Sequence, residues 1–244
     1  MEVKTIYFDE NKEISLTCYI PDISDEMPNM KVKPGILVLP GGAYKFCSDR
    51  EAEPIALHYV SRGYNAFVLR YSLNEASKFP RPLNEASEAL RMIRENAEQW
   101  HTDPQKIAVI GFSAGGHLAA ALSTMADEKP NASILCYPCI LGEISPILAN
   151  EIESVTDYVT NDTPPAFIVS ADDDTCVPIK HSLQYASKLD EYGVSFEMHI
   201  YRAGGHGFSL GNDVVMSTKE AQEFSKPTSY WLDRSVEWLH EIFE

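Results

Sequence analysis

The stretch best equipped for chemistry is residues 107–117, "IAVIGFSAGGH". A β-branched and apolar run ends there at a single serine, Ser113, flanked by Gly111, Gly115 and Gly116. Strands tolerate glycine poorly and helices worse, so this spacing marks a tight turn or a close approach of two backbones. An Ala- and Leu-rich helical pattern follows, over 117–126. Strand, G-x-S-x-G and helix in succession is the setting in which a sharp turn raises a serine hydroxyl above a sheet edge. The N–H groups behind it, that of Ala114 above all, lie at a helix N-terminus and can donate to a developing oxyanion. The competing reading is a glycine-rich corner with an incidental serine.

A nucleophilic serine needs a base, and the base needs a carboxylate to orient it. His58 and His240 fall in helical patterns, His101 in a loop well before the serine, and His199 inside an apparent strand. His117 is a rival, but it lies one turn down the nucleophile's own helix and faces along that helix rather than across the site. His206 is favoured as base: "AGGHGF" directly follows the apparent strand "SFEMHIY", and open α/β sheets place their sites at strand C-termini. "PPAFIVSADDDTCVP" sets Asp172, Asp173 and Asp174 just after another strand. The chain order Ser, Asp, His is that of a triad built on such a turn, and the residues alone do not choose among the three acids. In "LVLPGGAY", an early strand opens into Gly41-Gly42, which lets backbone N–H groups point at a substrate oxygen and complete an oxyanion hole.

These residues need a scaffold that carries them to one edge. Strands are predicted at 14–20, 36–44 (with its turn), 64–73, 106–112, 133–139, 165–171 and 195–201. Helices are predicted at 53–63, 82–100, 115–126, 182–193 and 229–243, the second with Leu83, Ala86, Leu90, Ile93 and Ala97 on one stripe. Near-continuous apolar strands alternating with such helices predict a mostly parallel, doubly wound sheet in one α/β domain spanning 1–244. The pentapeptide "LNEAS" occurs at 73–77 and 83–87, too isolated a duplication to be a structural repeat. Residues 141–163 form a connection long enough to be a functional loop or a small cap.

The formal net charge of −16 argues against nucleic acid or an anionic membrane surface as partner. The N-terminus carries no signal-peptide pattern and no apolar run reaches a membrane span, so a cytoplasmic location is expected. Five cysteines at irregular spacing favour free thiols. "CYPC" at 136–139 has redox spacing but closes a strand instead of opening a helix, and no second ligand pair suggests a metal.

The sequence resembles the α/β-hydrolase superfamily, and within it the acetyl-xylan-esterase-like and feruloyl-esterase-like serine esterases. "LPGGAY", "GYNAFVLRYSL", "DPQKIAVIGFSAGGHLAA", "DDTCVPIKHSLQYASKLDEYGVSFEMHIY" and "GGHGFSLG" carry the resemblance from about residue 32 onward. It implies Ser113 as nucleophile, His206 as base and Asp174, three residues before the Val of "VP", as the acid. It also implies oxyanion donors at Gly42, Ala43 and Ala114, with Tyr44 at the substrate. Relatives of the lipase type have His-Gly-Gly where this chain has Pro40-Gly41-Gly42, and no large cap domain is present. The implied activity is hydrolysis of small acyl esters, acetyl first, on sugars or xylan-derived oligosaccharides in an open cleft, with no metal or organic cofactor. Amide or peptide hydrolysis by the same triad is the alternative, and a non-catalytic binding module the remoter one.

Overall fold

The computed structural model describes Met1–Glu244. Its strands are β1 (Glu2–Tyr7), β2 (Ser15–Ile20), β3 (Lys33–Leu39), β4 (Asn65–Arg70), β5 (Thr102–Phe112), β6 (Ala132–Cys136), β7 (Ala166–Ala171) and β8 (Phe196–Tyr201). All eight join one sheet in the order β1-β2-β4-β3-β5-β6-β7-β8. Neighbours from β4 through β8 are parallel, while β2 runs antiparallel to both β1 and β4. The helices are α1 (Glu53–Ser61), α2 (Arg81–Glu95), α3 (Ala114–Thr124), α4 (Lys180–Glu191), α5 (Lys219–Ser225) and α6 (Trp231–Phe243).

Side chains alternate across the central strands, so each strand feeds two cores. Leu37, Leu39, Ile107 and Val109 join a cluster completed by α2, α3 and α4. Ile36, Val38, Ala108 and Ile110 join the opposite cluster, completed by α1 and α6. Burial on both faces is why these strands read as unbroken apolar runs. The predicted α2 stripe of Leu83, Ala86, Leu90 and Ile93 is buried as the periodicity requires.

Apart from shifted ends, such as α2 stopping at Glu95 instead of Trp100, four differences from the sequence expectation stand out. β1 was not foreseen: it is an edge strand with a single partner and no buried residue, so no apolar alternation betrays it. The polar α5 was not foreseen either; it forms behind Thr218, whose hydroxyl accepts the Ala221 N–H at 3.1 Å. β5 starts at Thr102 because Lys33 pairs with Thr102 ahead of a register shift to the Gly35–Ile107 pair. β6 stops at Cys136, leaving the rest of "CYPC" as a loop. Because β3, β5, β6, β7 and β8 are parallel, the loops after Leu39, Phe112, Cys136, Ala171 and Tyr201 all open on one edge. No helix is long and apolar enough to cross a membrane.

Candidate active site

Ser113 sits between β5 and α3 with φ 53° and ψ −115°, a conformation L-residues rarely hold. The glycines around it explain themselves by contact. A Cβ on Gly111 would overlap the Gly115 carbonyl, and one on Gly115 would overlap the Leu39 and Pro40 carbonyls at the end of β3. The turn is held from both sides: the Ser113 N–H donates to Cys136 O at 3.0 Å, and the Cys139 N–H donates to Ser113 O at 3.0 Å. "CYPC" thus frames the serine. Both of its thiols are fully buried, and burial pushes the Cys139 thiol up to about 12.

Across 93 positions of chain, His206 Nε2 lies 2.9 Å from Ser113 Oγ. Its Nδ1 lies 2.7 Å from Asp174 Oδ2. A carboxylate only accepts, so Nδ1 carries the proton and Nε2 is left free to accept from the serine hydroxyl. Asp174 is itself fixed: its Oδ1 accepts the N–H groups of Cys176 and Val177, each at 2.9 Å. Asp173 takes a different part, accepting the Gly205 N–H at 2.8 Å and so anchoring the loop that presents His206. Asp172 is exposed. The three adjacent acids are therefore separated by backbone contacts that only the folded chain creates.

The opposite wall is the loop after β3. Gly42, Ala43 and Tyr44 have φ values of 129°, 59° and 59°, a run of left-handed residues that turns the backbone outward. The N–H groups of Gly42, Ala43 and Ala114 donate to no group within the chain. Gly41, the residue before this run, lies against the serine, since a Cβ on it would stand 3.1 Å from Ser113 Cβ, and free donors close to a nucleophile are what a developing oxyanion requires. The expectation of Tyr44 at the substrate is corrected. Its side chain is 1% exposed, and its hydroxyl lies 2.9 Å from His117 Nδ1. Its bulk belongs beneath the loop, because a phenol with a buried partner stays buried.

His117 is fully buried between Tyr44 and the Glu153 carbonyl, which lies 3.2 Å from its Nε2. Burial holds it down at about 4, and it makes no hydrogen bond to the Ser113 side chain. That bond to Glu153 also ties residues 141–163 to α3. The Ala149 N–H donates to Ala43 O and Lys45 Nζ to Ile147 O, each at 2.9 Å, while Val155 is fully buried. The segment is thus a fixed wall beside the donor loop. A depression of about 510 Å³ opens along it, lined by Lys78, Phe79, Asn150, Glu151, Ile152 and Glu153.

Two residues with no role in the sequence reading stand out. Glu51 is 3% exposed and bonded to the Gly41 N–H. His181 is 1% exposed, and its Nδ1 accepts the Ile140 and Leu141 N–H groups at 3.0 and 3.1 Å, fastening α4 to the loop after β6. No local pattern marks either one, since their partners are remote in sequence.

Residues 22–138 match the BD-FAE family and residues 147–229 the prolyl oligopeptidase family. An α/β hydrolase enzyme from a Medee basin deep-sea metagenome library superposes with a TM-score of 0.93 at 42% identity, covering 99% of this chain and 98% of that one. This chain is an α/β hydrolase. The hydrolase is also similar to an acetyl ester-xyloside bifunctional hydrolase from Caldicellulosiruptor lactoaceticus, with 32% identity, a TM-score of 0.77 and 96% of each chain covered. An acetylxylan esterase from Xylanibacter ruminicola is 29% identical over 85% of this chain and 46% of its own length. The hydrolase spans less than half the length of two curated relatives that it matches, this esterase among them.

Proposed function

We propose that the hydrolase is a serine carboxylesterase that removes small acyl groups, acetyl first, from sugars or xylan-derived oligosaccharides. The observation that carries this is the relay from Asp174 through His206 to Ser113, at 2.7 and 2.9 Å, with unpartnered N–H groups on Ala114, next in the chain, and on Gly42 and Ala43. Ser113 Oγ attacks the ester carbonyl as its proton passes to His206 Nε2. The tetrahedral oxyanion is received by the N–H groups of Ala114, Gly42 and Ala43, each donor contributing about 3 kcal/mol in comparable sites. Asp174 stabilises the imidazolium, which then protonates the departing alcohol. A water that gives its proton to His206 attacks the acyl-enzyme, and collapse releases the acid and restores Ser113.

The acyl and sugar preferences rest on the similarity to an acetyl ester-xyloside bifunctional hydrolase and to an acetylxylan esterase. One observation favours a second reading. The part of the chain holding Asp174 and His206 matches a peptidase family, so amide cleavage uses the same groups in the competing proposal. The test compares acetylated xylo-oligosaccharides, p-nitrophenyl esters and aryl amides as substrates, with fluorophosphonate labelling to locate the nucleophile. Acetyl release with an adduct on Ser113, abolished in Ser113→Ala, is the expected result. A marked amide preference would select the peptidase reading, and an adduct elsewhere would remove the mechanism.

A further inference from the structure

We infer that Glu51 is a positioning residue of the proposed ester hydrolysis, a carboxylate that locks the oxyanion-donor loop and the His206 loop to one common support. It belongs to a 3-10 turn, Asp49–Glu51, just before α1. Glu51 Oε2 accepts the Gly41 N–H at 2.9 Å, one residue before the donors, and Oε1 accepts the Tyr137 hydroxyl at 2.6 Å. That same hydroxyl accepts the Ser209 N–H at 3.1 Å, and the Tyr137 ring stands edge-on to the His206 ring with centroids 5.1 Å apart. The turn adds bonds of its own. Arg50 donates to Gly207 O at 3.2 Å, Ser209 Oγ donates to Arg50 O, and the Ser48 N–H donates to Gly41 O at 2.9 Å.

Proton counting defines the state in which this network closes. With Glu51 ionised, the Gly41 N–H, the Tyr137 O–H and the Ser209 N–H each have one acceptor. With Glu51 protonated there is one O–H more than these acceptors can take, on Glu51 and Tyr137 side chains only 3% and 1% exposed. Burial is the largest influence and holds this carboxyl above the usual carboxylate range; the bonds from Tyr137 and Gly41 act against it, as do Arg50 and, once it is protonated, His206. The fit is close: a Cβ on Gly41 would lie 2.7 Å from Glu51 Oε2 and 3.1 Å from Ser113 Cβ. Glu51 touches no reacting atom, so its effect passes entirely through where Gly42, Ala43 and His206 are held.

The inference rests on the proposed function, and the experiment separates the two. Glu51→Gln, Tyr137→Phe and the double variant are compared with the parent for p-nitrophenyl acetate kcat and KM. A trifluoromethyl ketone, which binds as an oxyanion-bearing adduct, supplies an inhibition constant, and fluorophosphonate incorporation counts competent sites. Glu51→Gln is expected to lower kcat about 10- to 100-fold with little change in KM, since small misplacements of catalytic groups cost on that order. The ketone should weaken in step, the count of labelled sites should stay full, and the Tyr137→Phe loss should not add to it. An unchanged kcat in Glu51→Gln, or a loss accounted for by fewer labelled sites, overturns the inference. Should Glu51→Gln fail to fold, Tyr137→Phe decides: lower kcat at constant KM supports the inference, and parental kcat and ketone affinity overturn it. Activity surviving in Ser113→Ala would instead remove the proposed function, an outcome no Glu51 result imitates.

Discussion

At the scale of single residues, Asp173 and Asp174 are neighbours with unequal duties. Asp174 touches His206, whereas Asp173 touches only the backbone N–H groups of Gly204 and Gly205. Asp174→Asn should lower kcat on the order of 10⁴-fold, because the wrong histidine tautomer then faces Ser113. Asp173→Asn, which keeps an acceptor for the loop, should cost about tenfold or less. Parallel kinetics on the two variants check this, and the reverse order would move the acid by one residue. His117 gives a second expectation, on stability. Its value falls from 6.5 to about 4 on folding, so between those pH values the unfolded chain binds a proton that the native chain does not. Stability therefore declines as pH drops through that window, by about 3 kcal/mol from this group, and the decline ends once both states are protonated. His117→Gln should show a shallower fall in urea midpoint from pH 7 to pH 4.5, the remainder owing to histidines such as His58 and His181, which burial also lowers. Ser113, His206 and the surrounding glycines were legible in sequence because their types and strand-end positions are local signals. The choice among the acids came only through the family resemblance, and the burial of Tyr44 and the presence of Glu51 were not legible at all, because each is decided by partners remote in the chain.

At the scale of elements, the β5–α3 corner depends on how closely it approaches the end of β3. Gly115→Ala would drive a methyl group into the Leu39 and Pro40 carbonyls. Overpacking of this kind costs about 1–3 kcal/mol, and backbone neighbours have little room to yield. The thermal midpoint should fall, and the rate of fluorophosphonate labelling should fall further than the midpoint alone accounts for, because the displaced segment carries Ser113. A variant with parental stability and labelling rate would show that the corner has slack. The strands buried on both faces announce themselves by composition, as does the stripe on α2. β1 and α5 do not, since an edge strand open to solvent and a short capped helix need only a few contacts from the rest of the fold to form.

At the scale of the whole molecule, a net charge of −16 sets a long-range field even where no charge touches the substrate. For a cationic acetyl ester, kcat/KM should fall as salt is raised across the range in which the Debye length shrinks from about 30 to 10 Å. A neutral ester of similar size should show a flat profile, and equal salt dependence for both would place the charge far from the approach path. One feature of the architecture also bears on how this molecule can change. The wall at 141–163 is stapled to the Ala43 carbonyl, to Lys45 and, through His117, to the helix behind Ser113. On the proposed function, substrate choice and turnover share these fastenings. Exchanging the wall for another sequence is then expected to change kcat along with the acyl preference, and a chimera in which only one of the two moves would uncouple selectivity from speed.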